Sequence, residues 1–241
     1  MSVFHKLHRS VQAGFTIIEL MIATMVFSTI LIVISAGVLH FTNDYYRGIN
    51  SSTTQNAARS IMDSVTQAIQ FGGALPAPGT MTSTPTVLAS WGGTPGYICL
   101  GSQLFVYSRG NELHNSGAPA DFGLYSEPGV SCSSAATQTK TGGTEMLQAN
   151  MRLTKFNVLR IGTTDLYTVT IEVAYGDNDL LCDGSLSSTS AGSCAPGQST
   201  VTDAQLASPT AQVHCKSQAG SQFCAVSELQ TTVEVRVDIG S

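Results

Sequence analysis

Residues 15–39, FTIIELMIATMVFSTILIVISAGVL, form an apolar run whose only charge is Glu19. About 20 such residues are enough to cross the hydrocarbon core of a bilayer. A chain with a run of this length must find lipid or another apolar helix to bury it. The preceding stretch, MSVFHKLHRSVQAG, carries Lys6 and Arg9 and no acid. Basic residues before a span hold that end in the cytoplasm. The expected placement is a single pass through the cytoplasmic (inner) membrane, with everything after residue 40 exported.

A cleaved secretory signal fits poorly, because its apolar core is usually about 7–15 residues long, and no proline breaks the chain before Pro76. Glu19 is the more telling residue. A carboxylate at a bilayer centre costs on the order of 2.5–3.5 kcal/mol on insertion scales, and intramembrane acids usually have a function. Cleavage after Gly14 would create a new amine on Phe15. Helix geometry places Glu19 about one turn from that amine, or lets it meet the amine of a neighbouring copy. A paired charge is much less costly in lipid than a lone one.

Gly14-Phe15-Thr16-Ile17-Ile18-Glu19-Leu20-Met21 resembles the class III leader and cleavage site of type IV pilins and type II secretion pseudopilins. The resemblance covers about residues 5–40. It implies that residues 1–14 are a leader, removed by a prepilin peptidase that cuts after Gly14 and methylates the amine of Phe15. It assigns Glu19 to assembly and residues 15–39 to a transmembrane and assembly helix. The implied partners are other pilin or pseudopilin subunits, the prepilin peptidase, an inner-membrane assembly platform and, before assembly, membrane lipid. The implied destination is a cell-surface filament. The outer half of the span, Ile34-Ser35-Ala36-Gly37-Val38, lacks the proline of many major pilins, which leans toward a minor pilin-like subunit of a type IV pilus or related filament. The alternatives are a type II secretion minor pseudopilin, or a pilus-tip adhesin or receptor binding through residues 176–230.

The rest of the chain reads as an α+β, pilin-like domain. Residues 40–72 continue the helix, with Ile61, Val65, Ala68 and Ile69 on one stripe and Arg59, Asp63 and Gln67 facing solvent. Gly72-Gly73 ends it. Residues 73–241 form the exported domain, in which the helix packs on an antiparallel sheet. Residues 74–96 read as a loop, and 115–145 lack periodicity. Leu104–Tyr107 is a strand with Asn111–Leu113 as a nearby partner. Met151, Leu153, Phe156 and Val158 suggest a strand with a bulge where the alternation shifts. Gly162–Asp165 turns it into a second strand, with Tyr167, Val169, Ile171, Val173 and Tyr175 on one face. Val233, Val235, Val237 and Ile239 mark the last strand. Residues 176–230 read as a long cysteine-rich segment, a candidate for docking or display.

The six cysteines contain no CxxC pair, so a redox motif and zinc-ribbon spacing are absent. In an exported chain they predict disulfides. About fifteen pairings are open; a preference for short loops selects Cys182–Cys194 and Cys215–Cys224, leaving Cys99–Cys132. Charged residues are 11% of the chain and the net charge is -5, without a Lys/Arg run. That composition argues against nucleic acid as a partner. Asp177, Asp179 and Asp183 offer oxygen ligands for calcium, but their spacing does not follow an EF-hand loop, and a solvated turn is preferred. No other metal site, no cofactor and no catalytic constellation is expected, so the chain reads as a structural subunit and not as an enzyme.

Overall fold

The computed structural model describes residues 15–72, 96–113, 123–129, 143–184, 194, 200–208, 210–218 and 220–236. The chain divides into two compact units, Met1–Asp44 and Tyr45–Ser241. Helix α1, Ile17–Phe71, contributes to both. In the first unit every described side chain from Phe15 to Phe41 is exposed. Three hydroxyls within the apolar run turn back onto their own helix: Thr24 donates to the Met21 carbonyl at 2.9 Å, Ser28 to the Thr24 carbonyl at 2.7 Å and Thr29 to the Val26 carbonyl at 2.8 Å. This local bonding satisfies those three donors within the helix itself.

In the second unit α1 becomes amphipathic. Its buried face begins at Asn50 and continues through Thr54, Ala57, Ala58, Ile61, Met62, Val65, Ala68 and Ile69. Arg59, Asp63 and Gln67 are exposed. The helix stops where glycine is required by close approach. A Cβ on Gly72 would lie 2.2 Å from the Ala68 carbonyl oxygen, and one on Gly101 would lie 2.1 Å from the Gly72 oxygen. Gly101 also has φ +60, a backbone region that suits glycine.

The helix covers two antiparallel sheets. The first has the order β1 (Gly96–Leu100), β2 (Gln103–Tyr107), β3 (Leu124–Pro128), β4 (Thr144–Glu145). The second contains β5 (Met151–Arg160), β6 (Leu166–Tyr175) and β9 (Ala225–Glu234), with β6 in the centre. A short pair, β7 (Leu181–Asp183) and β8 (Val213–Cys215), and one turn of helix, α2 (Asp203–Leu206), lie between β6 and β9 in the chain. Ile61, Val65 and Ile69 of α1 share one apolar core with Leu100, Phe105 and Leu124 of the first sheet and Leu153, Phe156, Val169, Ile171 and Val173 of the second. Full burial of each such aliphatic side chain contributes roughly 1.5–3 kcal/mol.

The β5–β6 hairpin follows its sequence pattern. The register shifts between Leu153 and Lys155, so Thr154 is the extra residue. Gly162 has φ 58 in the turn. Elsewhere the structure differs from the sequence reading. Asn111–Leu113 does not pair with β2, whose neighbours are β1 and β3. That segment runs beside β5 instead, with Gly110 N donating to Leu153 O at 2.8 Å and Leu113 N to Met151 O at 3.0 Å. Strands β3 and β4 lie inside the stretch read as aperiodic, because they are short and mix Ser, Glu and Pro with apolar residues. The last strand begins at Ala225, eight residues before the Val233 alternation. Val237 and Ile239 lie outside the described residues.

Segment 176–230 is not a plain loop. It supplies β7, α2, β8 and the first half of β9. It also has an apolar cluster of its own, in which Leu181, Val201, Leu206, Ala211, Val213 and Cys224 pack with Ala174 of β6. Alternate β6 residues point to opposite faces, so Val173 faces α1 while Ala174 faces this cluster.

Candidate functional site

The first turn of α1 is a reciprocal cap. Thr16 N donates to Glu19 Oε2 at 3.0 Å, the Thr16 hydroxyl donates to the same oxygen at 2.9 Å, and Glu19 N donates to Thr16 Oγ1 at 3.3 Å. A Thr-x-x-Glu capping box satisfies two of the orphan amides of a helix start and puts negative charge at the positive end of the helix dipole. The carboxylate is thereby fixed one residue from Phe15, whose side chain is 86% exposed. Gly14 lies outside the described residues. Thr16 was missed as a functional residue in the sequence reading, although its spacing to Glu19 is the signature of such a cap.

Two charged clusters in the second unit were invisible in the sequence. Arg152 is fully buried on β5. Its guanidinium donates to Glu112 Oε2 at 2.7 Å, to the Gly176 carbonyl at 2.8 Å, to the Gly110 carbonyl at 3.2 Å and to Asp203 Oδ1 at 3.3 Å, and it also contacts Asn178. Burial pulls its pKa down, while Glu112 and Asp203 oppose that shift. One side chain thus ties together the 109–113 segment, the end of β6 and α2.

The second cluster crosses β5, β6 and β9. Lys155 Nζ lies 2.7 Å from Glu172 Oε2 and 2.9 Å from Glu228 Oε2, and the Thr154 hydroxyl donates to Glu172 Oε1 at 2.7 Å. Two carboxylates share one ammonium. Burial holds the inner acid, Glu172, above its usual range. Glu228 is more exposed and is held below its range: burial would raise it, but its hydrogen bonds to Lys155 and Glu172 outweigh that. In each cluster one cation is paired with two carboxylates. The Glu145 carboxylate is committed in the same way, accepting from Gly123 N, Leu124 N and Leu147 N at 3.1, 2.9 and 3.0 Å.

The structure joins Cys182 to Cys194 and Cys215 to Cys224, each with a Cα–Cα distance of 5.8 Å. Cys99 is disulfide-bonded, and its expected partner Cys132 lies outside the described residues. The calcium candidates do not converge. Asp183 is buried and accepts from Gln212 N at 3.0 Å, Asp179 contributes its carbonyl to Gln218, and Asp177 stands near the Arg152 guanidinium. Among the described residues no group of three His, Cys, Asp or Glu side chains could hold a metal ion. The aspartates fail as a site because the β7–β8 pairing turns Asp183 inward.

Comparison with curated proteins and with solved structures finds no match. The family model for the prokaryotic N-terminal methylation motif matches residues 9–35, a span that contains Gly14, Phe15, the Thr16–Glu19 cap and most of the apolar run. That motif points to a structural subunit. The chain carries an N-terminal methylation motif with a class III prepilin leader, consistent with the type IV pilin and pseudopilin family.

Proposed function

We propose that this chain is a minor pilin-like structural subunit, cut after Gly14, methylated on the Phe15 amine and added to a type IV pilus or related filament through α1. The observation that carries the proposal is the combination of a capped carboxylate and an exposed apolar run. From Phe15 to Leu39 every side chain is exposed among the described residues, so on this reading the run takes lipid first and other subunits later. Glu19 is held beside Phe15 by Thr16, where it can neutralise a Phe15 amine during addition. The assembly platform and the prepilin peptidase are the partners this reading requires.

The test is Glu19→Ala in the cell that makes the protein. Membrane insertion and leader removal are expected to persist, while incorporation into filaments falls by at least about tenfold, the effect of roughly 1.4 kcal/mol at the addition step. Normal incorporation would refute the role of Glu19. A Gly14 substitution should retain the leader, visible as a larger band.

A further inference from the structure

Strand β9 is an edge of the β5–β6–β9 sheet, and the hydrogen bonds around it fix which of its backbone groups face outward. Val235 N donates to Asp165 O at 3.1 Å, one step past the pair Leu166–Glu234. In an antiparallel ladder, pairs that exchange hydrogen bonds alternate with pairs that do not. The register runs without a shift from Ala225 to Glu234, so the odd-numbered residues of β9 bond β6. Glu228, Gln230, Thr232 and Glu234 turn their N–H and C=O groups the other way. Arg236 N, next in that series, donates to Gln70 O of α1 at 3.2 Å, which agrees with the alternation and closes that end of the edge. The four residues before it in the series are exposed, and among the described residues nothing pairs with their outward groups.

The opposite edge of the same sheet is closed. The Met151 and Leu153 carbonyls of β5 face outward, and Leu113 N and Gly110 N bond them at 3.0 and 2.8 Å. Beyond them the register shifts between Leu153 and Lys155, and Phe156 and Val158 are buried. Strand β9 has no bulge, no proline and no Lys or Arg between Ala225 and Glu234. Those are devices by which edge strands avoid pairing with another chain. Charge narrows what can pair here. Antiparallel pairing of two copies that uses all four outward residues would set Glu228 opposite Glu234 twice, and like charges directly opposite are destabilising. Glu228 keeps 47% of its side chain exposed while it binds Lys155, and Glu234 is exposed. We propose that the β9 edge accepts an extended segment of a different polypeptide, added as an antiparallel fourth strand, with Lys or Arg opposite Glu228 and Glu234 and neutral residues opposite Gln230 and Thr232.

The test is residue-resolved hydrogen–deuterium exchange on the full chain in detergent. The probe is the peptide acetyl-Lys-Val-Thr-Val-Thr-Val-Lys-amide at millimolar concentration, whose antiparallel pairing sets one Lys opposite Glu234 and the other opposite Glu228. The control peptide carries Glu in place of both Lys. Without peptide, the Gln230 and Thr232 amides should exchange at least about tenfold faster than those of Leu229 and Thr231, which bond β6. The Lys peptide should slow Gln230 and Thr232 by about tenfold or more, and the Glu peptide should leave them unchanged. Glu234→Lys should weaken the Lys peptide by about tenfold. Gln230→Pro removes an outward N–H and no bond to β6, so the sheet should stay protected while the peptide no longer slows Thr232. If that variant loses the protection of β6, Glu234→Lys still carries the comparison. Gln230 and Thr232 amides as slow as their neighbours in the free chain, or unmoved by the Lys peptide, would overturn the open edge. Equal slowing by both peptides would overturn the charge selection. Slowing that rises with protein concentration in the absence of peptide would assign the edge to a second copy and overturn the assignment to a different polypeptide.

Discussion

Arg152 shows how much one residue can organise. It is the largest of the fully buried side chains, yet its charge is met by Glu112 and Asp203 and by two backbone carbonyls. Its Nε has no hydrogen-bond partner. Arg152→Ala would take the buried guanidinium from Glu112 and Asp203 and leave a cavity, and removing one side of a buried pair typically costs about 3–5 kcal/mol. Urea denaturation of the full chain in detergent should show that loss, whereas Arg160→Ala, whose partner Asp165 is exposed, should change stability by less than about 1 kcal/mol. Nothing in the sequence distinguishes these two arginines. Both lie on β5 among apolar residues, and only the packing of α2 and the 109–113 segment buries one of them. Glu19 is the opposite case, since its apolar context, and the Thr16 that caps it, stand next to it in the chain.

At the scale of elements, the β5–β6–β9 sheet carries a pH-dependent cluster on the face away from α1. Glu172 binds its proton more tightly in the folded chain than in the unfolded one, because burial disfavours its charge. The stability linked to that proton is complete below the ordinary carboxylate value of 4.5 and is lost as pH rises through the higher folded value. Glu172→Gln cannot ionise, still accepts from Thr154, and leaves Glu228 to pair with Lys155. The stability of the native chain relative to this variant should therefore fall between pH values below 4.5 and neutrality, as read from denaturation midpoints at both ends. A difference that grew with pH would show that the Lys155 ion pair outweighs burial. The bulge at Thr154 was readable in the broken alternation of β5, and so was the apolar face of β6. The early half of β9 was hidden because its inward positions include Ser227, which pairs with Val173. These residues take their place in the sheet from pairing with β6, not from a pattern of their own.

For the molecule as a whole, the structure changes what an experiment on the cysteine-rich segment can mean. Segment 176–230 reads in sequence as a long cysteine-rich candidate for docking or display, but the sheet depends on it. It supplies β9 pairing with β6 from Ala225 to Gln230 and covers Ala174 on the outer face of the sheet. Its deletion is expected to leave a chain that inserts in the membrane but is degraded or aggregated, seen as loss of full-length product in a pulse-chase. A binding role for the segment is better tested by substituting exposed residues. The helix α1 is different in kind: its first part needs no tertiary contact to be a helix in lipid, and its later part needs the sheets.

The apolar run, its basic flank and the Thr16–Glu19 spacing are local features. The methylation motif over residues 9–35 was therefore readable from the chain. The stripe Ile61–Ile69 and the β5–β6 hairpin were also readable, because periodicity alone orients their apolar faces. Burial of Arg152, the inward turn of Asp183 and the stacking of Phe223 on Tyr46 each join residues far apart in sequence. They depend on which segments pack together, and no local pattern contains that information. The β7–β8 pairing accordingly buries Asp183, and the described part of the cysteine-rich segment is a folded layer in which Phe223 stacks on Tyr46.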